Sequence, residues 1–168
     1  MKEILKINNL KKAYHTKRNE ILAVDNFSFT LYEGEFVAIV GPSGCGKSTI
    51  LSILSGLEEK SDGEIIKDEN LKIGYMLQDD ALFDNRNILN NSLLGLEIDK
   101  ALTKENKDYT LNLLETYGLK DFINSYPENL SGGMRQRVAL IRTLATKPDI
   151  LLLDEPFASS LLVLIIFI

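Results

Sequence analysis

Cysteine and histidine are nearly absent from this chain: its 168 residues include one of each, Cys45 and His15. A lone cysteine cannot close an internal disulfide, so the sequence fits a reducing cytoplasm rather than an oxidising compartment. A basic surplus is missing too. The formal net charge of −5 gives the chain no general attraction for nucleic acid, and none is expected as a partner. Long apolar runs are confined to the last dozen residues. The start, Met1-Lys2-Glu3-Ile4, lacks the hydrophobic stretch of a signal peptide, and nothing ahead of the tail approaches the roughly 20 apolar residues needed to cross a bilayer.

What is present is the composition of an ordinary water-soluble domain, 45% hydrophobic and 26% charged, long enough to bury most of its apolar surface. The most informative stretch is Ile39-Val40-Gly41-Pro42-Ser43-Gly44-Cys45-Gly46-Lys47-Ser48-Thr49. An apolar strand, Phe36 to Val40, runs into a glycine-rich turn, and Ser48 to Leu54 reads as a helix. That order is the context in which G-x-x-x-x-G-K-[ST] cradles phosphate. Gly41, Gly44 and Gly46 are expected to take positive φ and let the backbone N–H groups turn inward around an anion. Lys47 supplies a charge for the β- and γ-phosphates, and the Ser48 hydroxyl is a ligand for Mg²⁺. Cys45 reads as a small filler within the motif, with chemical modification as its alternative role.

Strands are expected at Ile4–Ile7, Phe27–Leu31 and Lys72–Leu77, with turns at Glu33-Gly34 and at Ser61-Asp62-Gly63-Glu64. The polar segment Lys11 to Glu20 reads as a loop that holds His15 in solvent and Tyr14 as a stacking surface or a half-buried core ring. Helical spacing governs residues 86–116, interrupted by the polar stretch Thr103 to Asp108. Ser131 then caps a helix whose apolar face is Met134, Val138, Ile141 and Ala145. Gly132 and Gly133 in its first turn suit either a plain helix start or close approach of backbone to an anion. Finally Asp149 to Pro156 is an apolar strand that delivers two carboxylates at its end: Asp154 for Mg²⁺, directly or through water, and Glu155 to accept a proton from an attacking water.

Taken together, these motifs resemble the ATP-binding subunit of an ABC transporter. Gly41–Thr49 matches the family's Walker A, Gln78 its Q-loop, Leu130-Ser131-Gly132-Gly133-Met134-Arg135-Gln136-Arg137 its signature, and Ile150–Glu155 its Walker B. The residues around Gln78 resemble importers of the nitrate, sulfonate and taurine group. The resemblance implies an α/β P-loop NTPase core with an N-terminal antiparallel β subdomain and a helical insertion, within a single domain spanning residues 1–168. Residues 1–85 and 146–158 would form the core, 86–145 the helical subdomain, and 159–168 an atypical tail.

The same resemblance implies ATP and Mg²⁺ as cofactors and ATPase activity that drives solute transport, in the direction of import, through a membrane permease. ATP would be held by Tyr14 against adenine and by Gly41, Pro42, Ser43, Gly44, Cys45, Gly46, Lys47, Ser48 and Thr49 around the phosphates. Ser48, Gln78 and Asp154 would serve the metal, while Glu155, Lys47 and Gln78 would be the catalytic set. Ser131, Gly132 and Gly133 would cap the nucleotide of a second copy in a homodimer, at the cytoplasmic face of the membrane.

The family pattern lapses after Walker B. Relatives continue with an aspartate at the dimer contact, a further strand and a switch histidine, whereas this sequence reads Ser160-Leu161-Leu162-Val163-Leu164-Ile165-Ile166-Phe167-Ile168. A truncation by frameshift or early stop is the leading expectation for this tail. A substitute strand filling the missing place in the sheet is the second, and a membrane anchor, too short to span, the last. A truncated chain would be a nucleotide-binding module with little or no turnover; a soluble ABC ATPase outside transport is the other alternative.

Overall fold

The computed structural model describes residues 2–15, 19–156 and 162–167, which divide into two units: residues 1–75 with 149–168, and residues 76–148. In the first unit, β1 (Glu3–His15), β2 (Glu20–Tyr32) and β4 (Asp62–Lys67) form an antiparallel sheet in the order β2-β1-β4. β1 and β2 run well beyond the short apolar cores that mark them in sequence. Pairing with β2 extends β1 through residues 11–15 of the segment expected to be a loop, and His15, opposite Glu20, is exposed; residues 16–18 lie outside the described residues.

Of the turn expected at Ser61–Glu64, residues 62–64 are strand. Gly63 lies opposite an irregularity in β1, where Asn9 takes a left-handed φ of 49°. A Cβ at Gly63 would stand 2.5 Å from the Asn9 carbonyl oxygen, so glycine here permits a bulged pairing rather than a reversal of the chain.

A second sheet has the order β3-β7-β6-β5, built from β3 (Phe36–Val40), β5 (Ile73–Met76), β6 (Ile150–Asp154) and β7 (Leu162–Phe167). Residues 162–167 of the tail thus form a central strand, antiparallel to both of its neighbours. β3 and β6 therefore run in the same direction without touching. Val163 and Ile165 are fully buried and join a core that includes Leu5, Ile7, Leu10, Leu31 and Leu152. Helix α1 (Lys47–Leu54) packs Ile50, Leu51, Ile53 and Leu54 into that core, each side chain contributing about 1.5–3 kcal/mol by leaving water.

The second unit is helical, comprising α2 (Ile88–Ser92), α3 (Leu94–Ile98), α4 (Lys104–Thr116) and α5 (Gly132–Leu144). Ile88, Leu114, Leu119, Leu130, Val138 and Ile141 form its main core, so Val138 and Ile141 face inward as the spacing predicts. The polar stretch Thr103–Asp108 is not a break: Thr103 caps α4, accepting from the Asn106 N–H, and the residues after it form the helix's first turn.

Candidate nucleotide site

The first unit gathers the phosphate-loop and acidic-strand residues into one place. At Gly46 the backbone takes φ 96°, and a Cβ there would lie 2.3 Å from the Ala23 carbonyl oxygen, so only glycine can connect the loop to α1. Gly44 is also left-handed, at φ 78°. Gly41 departs from expectation because its φ is not positive. A Cβ there would meet only the Cys45 Sγ, at 2.7 Å, the tip of an exposed side chain that a rotation would move aside. The α1 N-cap is Gly46, with no side chain bonded to the helix's first N–H groups, whereas Ser131 caps α5 and Thr103 caps α4. Those donors and the positive end of the helix dipole suit an anion.

Lys47 is only 5% exposed although most of the loop around it is open to solvent. Its ammonium donates to the carbonyl oxygens of Gly41 at 2.8 Å and Pro42 at 3.0 Å, and stands 4.0 Å from Cys45 Sγ, placing the charge inside the curve of the loop. Pro42, Ser43 and Gly44 form its exposed rim.

Across the sheet, Asp154 and Ile39 pair with opposite edges of Val163, so Asp154 lies level with the residue two before Gly41. The Ser48 hydroxyl donates to Asp154 Oδ1 at 3.0 Å, and the Tyr75 hydroxyl donates to Oδ2 at 3.2 Å. An alcohol and a carboxylate that converge in this way are oxygen donors of the kind a hard divalent cation takes, so the residues fit Mg²⁺. Glu155 follows with φ 47°, a left-handed conformation rare outside glycine and of the kind that collects at functional sites.

Tyr75 had no sequence signal, since an aromatic residue in a strand reads as core. Burial, assisted by the nearby Asp154 charge, pushes its phenol up to about 12, so it stays a proton donor to the carboxylate at neutral pH. Tyr75→Phe is expected to remove one of the two donors on Asp154 and cost about 1 kcal/mol. A lower urea midpoint at unchanged slope would report it.

Tyr14 lies in the same unit, donating from its hydroxyl to Glu58 at 2.5 Å, with the Thr49 side chain near enough to influence its phenol, so this ring adjoins the helix that leaves the phosphate loop. The Glu58 bond is the main cause raising its phenol above the ordinary value. Lys12 sits 4.9 Å from the ring centroid. Gln78, Ser131, Gly132 and Gly133 belong to the second unit, all four exposed. Ser131 caps α5 by accepting from the Met134 N–H, at 3.4 Å.

A strand, a glycine turn and a helix that carry lysine and serine toward an acidic strand end define a P-loop nucleotide-binding fold. Residues 24–158 match the sequence profile of the ABC transporter family, and the chain belongs to that family. It is 47% identical over 161 residues to the ABC transporter ATP-binding protein YtlC of Bacillus subtilis (strain 168), covering 92% of this chain and 62% of that one. To the taurine import ATP-binding protein TauB of Rhizobium johnstonii it is 41% identical, over 82% of this chain and 55% of that one. A dimeric ATP-binding cassette solved in a post-hydrolysis state with ADP and Pi superposes with a TM-score of 0.80 at 34% identity, covering 94% of this chain and 76% of that one. The chain therefore spans about three fifths of the length of such curated relatives.

Proposed function

We propose that the chain is the ATP-binding subunit of an ABC transporter, binding MgATP and coupling its hydrolysis to solute import through a membrane permease. The convergence of Lys47, Ser48 and Asp154 on the mouth of the phosphate loop is the observation that carries this reading. Lys47 and the α1 amides bind the phosphates, Tyr14 offers a ring to the base, and Ser48 and Asp154 hold the metal. Bound Mg²⁺ would neutralise phosphate charge and polarise the transferring group. Glu155 takes the proton of the attacking water. Relatives named for import, such as TauB, support the direction.

Gly132 and Gly133 support a second copy as partner. Among the described residues nothing lies within 4 Å of a Cβ built at Gly133, and only the far end of Arg135 approaches Gly132, so packing inside this chain does not demand either glycine. Close approach of another chain's nucleotide does, and the solved cassette is a dimer. Relatives named as import ATP-binding proteins support a place at the cytoplasmic face against a separate permease. No helix among the described residues is long and apolar enough to cross a membrane.

Nucleotide binding and phosphate release measured on the same purified chain test the proposal. Lys47→Ala is expected to weaken ATP binding by roughly tenfold to a hundredfold, since a charged hydrogen-bonding group contributes about 1.5–3 kcal/mol. Affinity unchanged by that substitution would remove the site. Binding without release would leave the chain a nucleotide-holding module.

A further inference from the structure

The loop that follows Gln78 is fastened to helix α5 by two arginines seven residues apart, hence on one face of the helix. Arg142 donates from Nη2 to the carbonyl of Asp80 and from Nη1 to that of Ala81, both at 2.7 Å. Ala81 between these contacts holds a left-handed φ of 44°, a conformation that alanine keeps only when its surroundings impose it. Burial lowers the Arg142 pKa and the neighbouring Asp80 charge opposes that shift.

Arg135, two turns nearer the helix start, reaches in two directions. Its Nε donates to Asp80 Oδ2 at 2.9 Å, and its Nη1 donates to the carbonyl of Leu130 at 3.0 Å. Leu130 is the residue immediately before the cap Ser131. One guanidinium therefore joins the loop two residues beyond Gln78 to the turn that presents Ser131, Gly132 and Gly133. Farther along, the buried Asn91 side chain accepts from the Phe83 N–H and donates to the carbonyls of Phe83, Arg86 and Asn87, which fixes the other end of the loop.

We propose that Arg135 is a positioning residue that transmits displacement of the Gln78 loop to the signature turn through Asp80, with Arg142 as the fixed anchor. The choice of residues follows from geometry. Arg142 holds only backbone carbonyls of the loop, so it secures position without reaching the signature. Arg135 holds both segments, through a planar fork that lysine cannot reproduce. The two segments would then shift together, so that a change at Gln78 reaches the nucleotide on the second copy. That last step rests on the reading of Ser131–Gly133 as a cap for a partner's ATP.

Amide hydrogen exchange on the intact chain tests the link without relying on turnover. Arg135→Gln and Asp80→Asn are each expected to speed exchange roughly fivefold to tenfold in both segments, residues 79–83 and 130–134, for loss of a part-buried charged pair. The double variant is expected to match Arg135→Gln, because the Asp80 contact that Asp80→Asn removes is already broken when the guanidinium is gone. Arg135→Lys should restore little of the protection, while binding of a fluorescent ATP analogue stays within about twofold of the parent, Lys47 being untouched. Exchange that rises in one segment only, or single effects that add in the double variant, would overturn the proposal. ATP-dependent association of the parent chain, measured alongside, bears on the partner-capping reading alone; its absence would remove that reading while the exchange result still decides the coupling.

Discussion

Ile165→Pro is expected to leave no folded chain. Ile165 is fully buried in the central strand β7, paired with Val37 on one side and Leu152 on the other. Proline removes a ladder donor where both edges of the strand are in use. Truncating the side chain costs about 2–5 kcal/mol, and the missing bond about 1 kcal/mol more. Set against a total stability of roughly 5–15 kcal/mol for a domain, that loss of about 3–6 kcal/mol consumes the whole margin of a domain at the low end of the range. Far-UV circular dichroism and a thermal melt would show it. A cooperative melt within a few degrees of the parent would mean that β7 is not part of the folded sheet.

The second large effect concerns chemistry. Glu155→Gln is expected to lower phosphate release by about 10²–10⁴-fold, the usual contribution of a positioned base, while nucleotide binding persists. The substitution keeps size and hydrogen-bonding capacity and removes the proton acceptor. Because Glu155 follows β6 in a left-handed conformation, the isosteric change also avoids altering the backbone there. Single-turnover phosphate release beside equilibrium ATP binding separates the two properties; full turnover in the variant would remove Glu155 from the role of base.

The phosphate loop could be read from sequence because its reasons are local. Strand, turn and helix follow one another, and Gly44 and Gly46 take the positive φ that the turn needs. Ser131 as a cap and β6 as a buried strand were legible for the same reason, each signalled within a few residues. What escaped depends on distant partners. Gly63 signals a turn by composition, and only the approach of Asn9 from another strand explains it as a bulge. Residues 11–15 are polar along their own stretch and are held extended by pairing with β2. The first turn of α4 is polar because that part of the helix faces solvent, with Thr110 and Leu114 buried farther on.

The site divides in the same way. Lys47, Ser48 and Asp154 carry recognisable motifs, whereas Tyr75 becomes part of the site only because β5 brings its hydroxyl to the second oxygen of Asp154. Asp80, Arg135 and Arg142 carry no separate signal in the sequence. Their meaning lies in which carbonyls they reach, and sequence spacing does not encode that.

β7 also acts as a ruler. β3 and β6 carry the two halves of the phosphate site, yet each is hydrogen-bonded to β7 rather than to the other, so their alignment is measured off this one strand. A two-residue slip of β6 along β7 would keep every side chain on its own face while carrying Asp154 about 7 Å past Ser48. The tail is apolar at every position from Leu162 to Phe167, and such uniformity penalises the slip weakly. Such a slip would detune the metal ligands while leaving the core almost equally well packed.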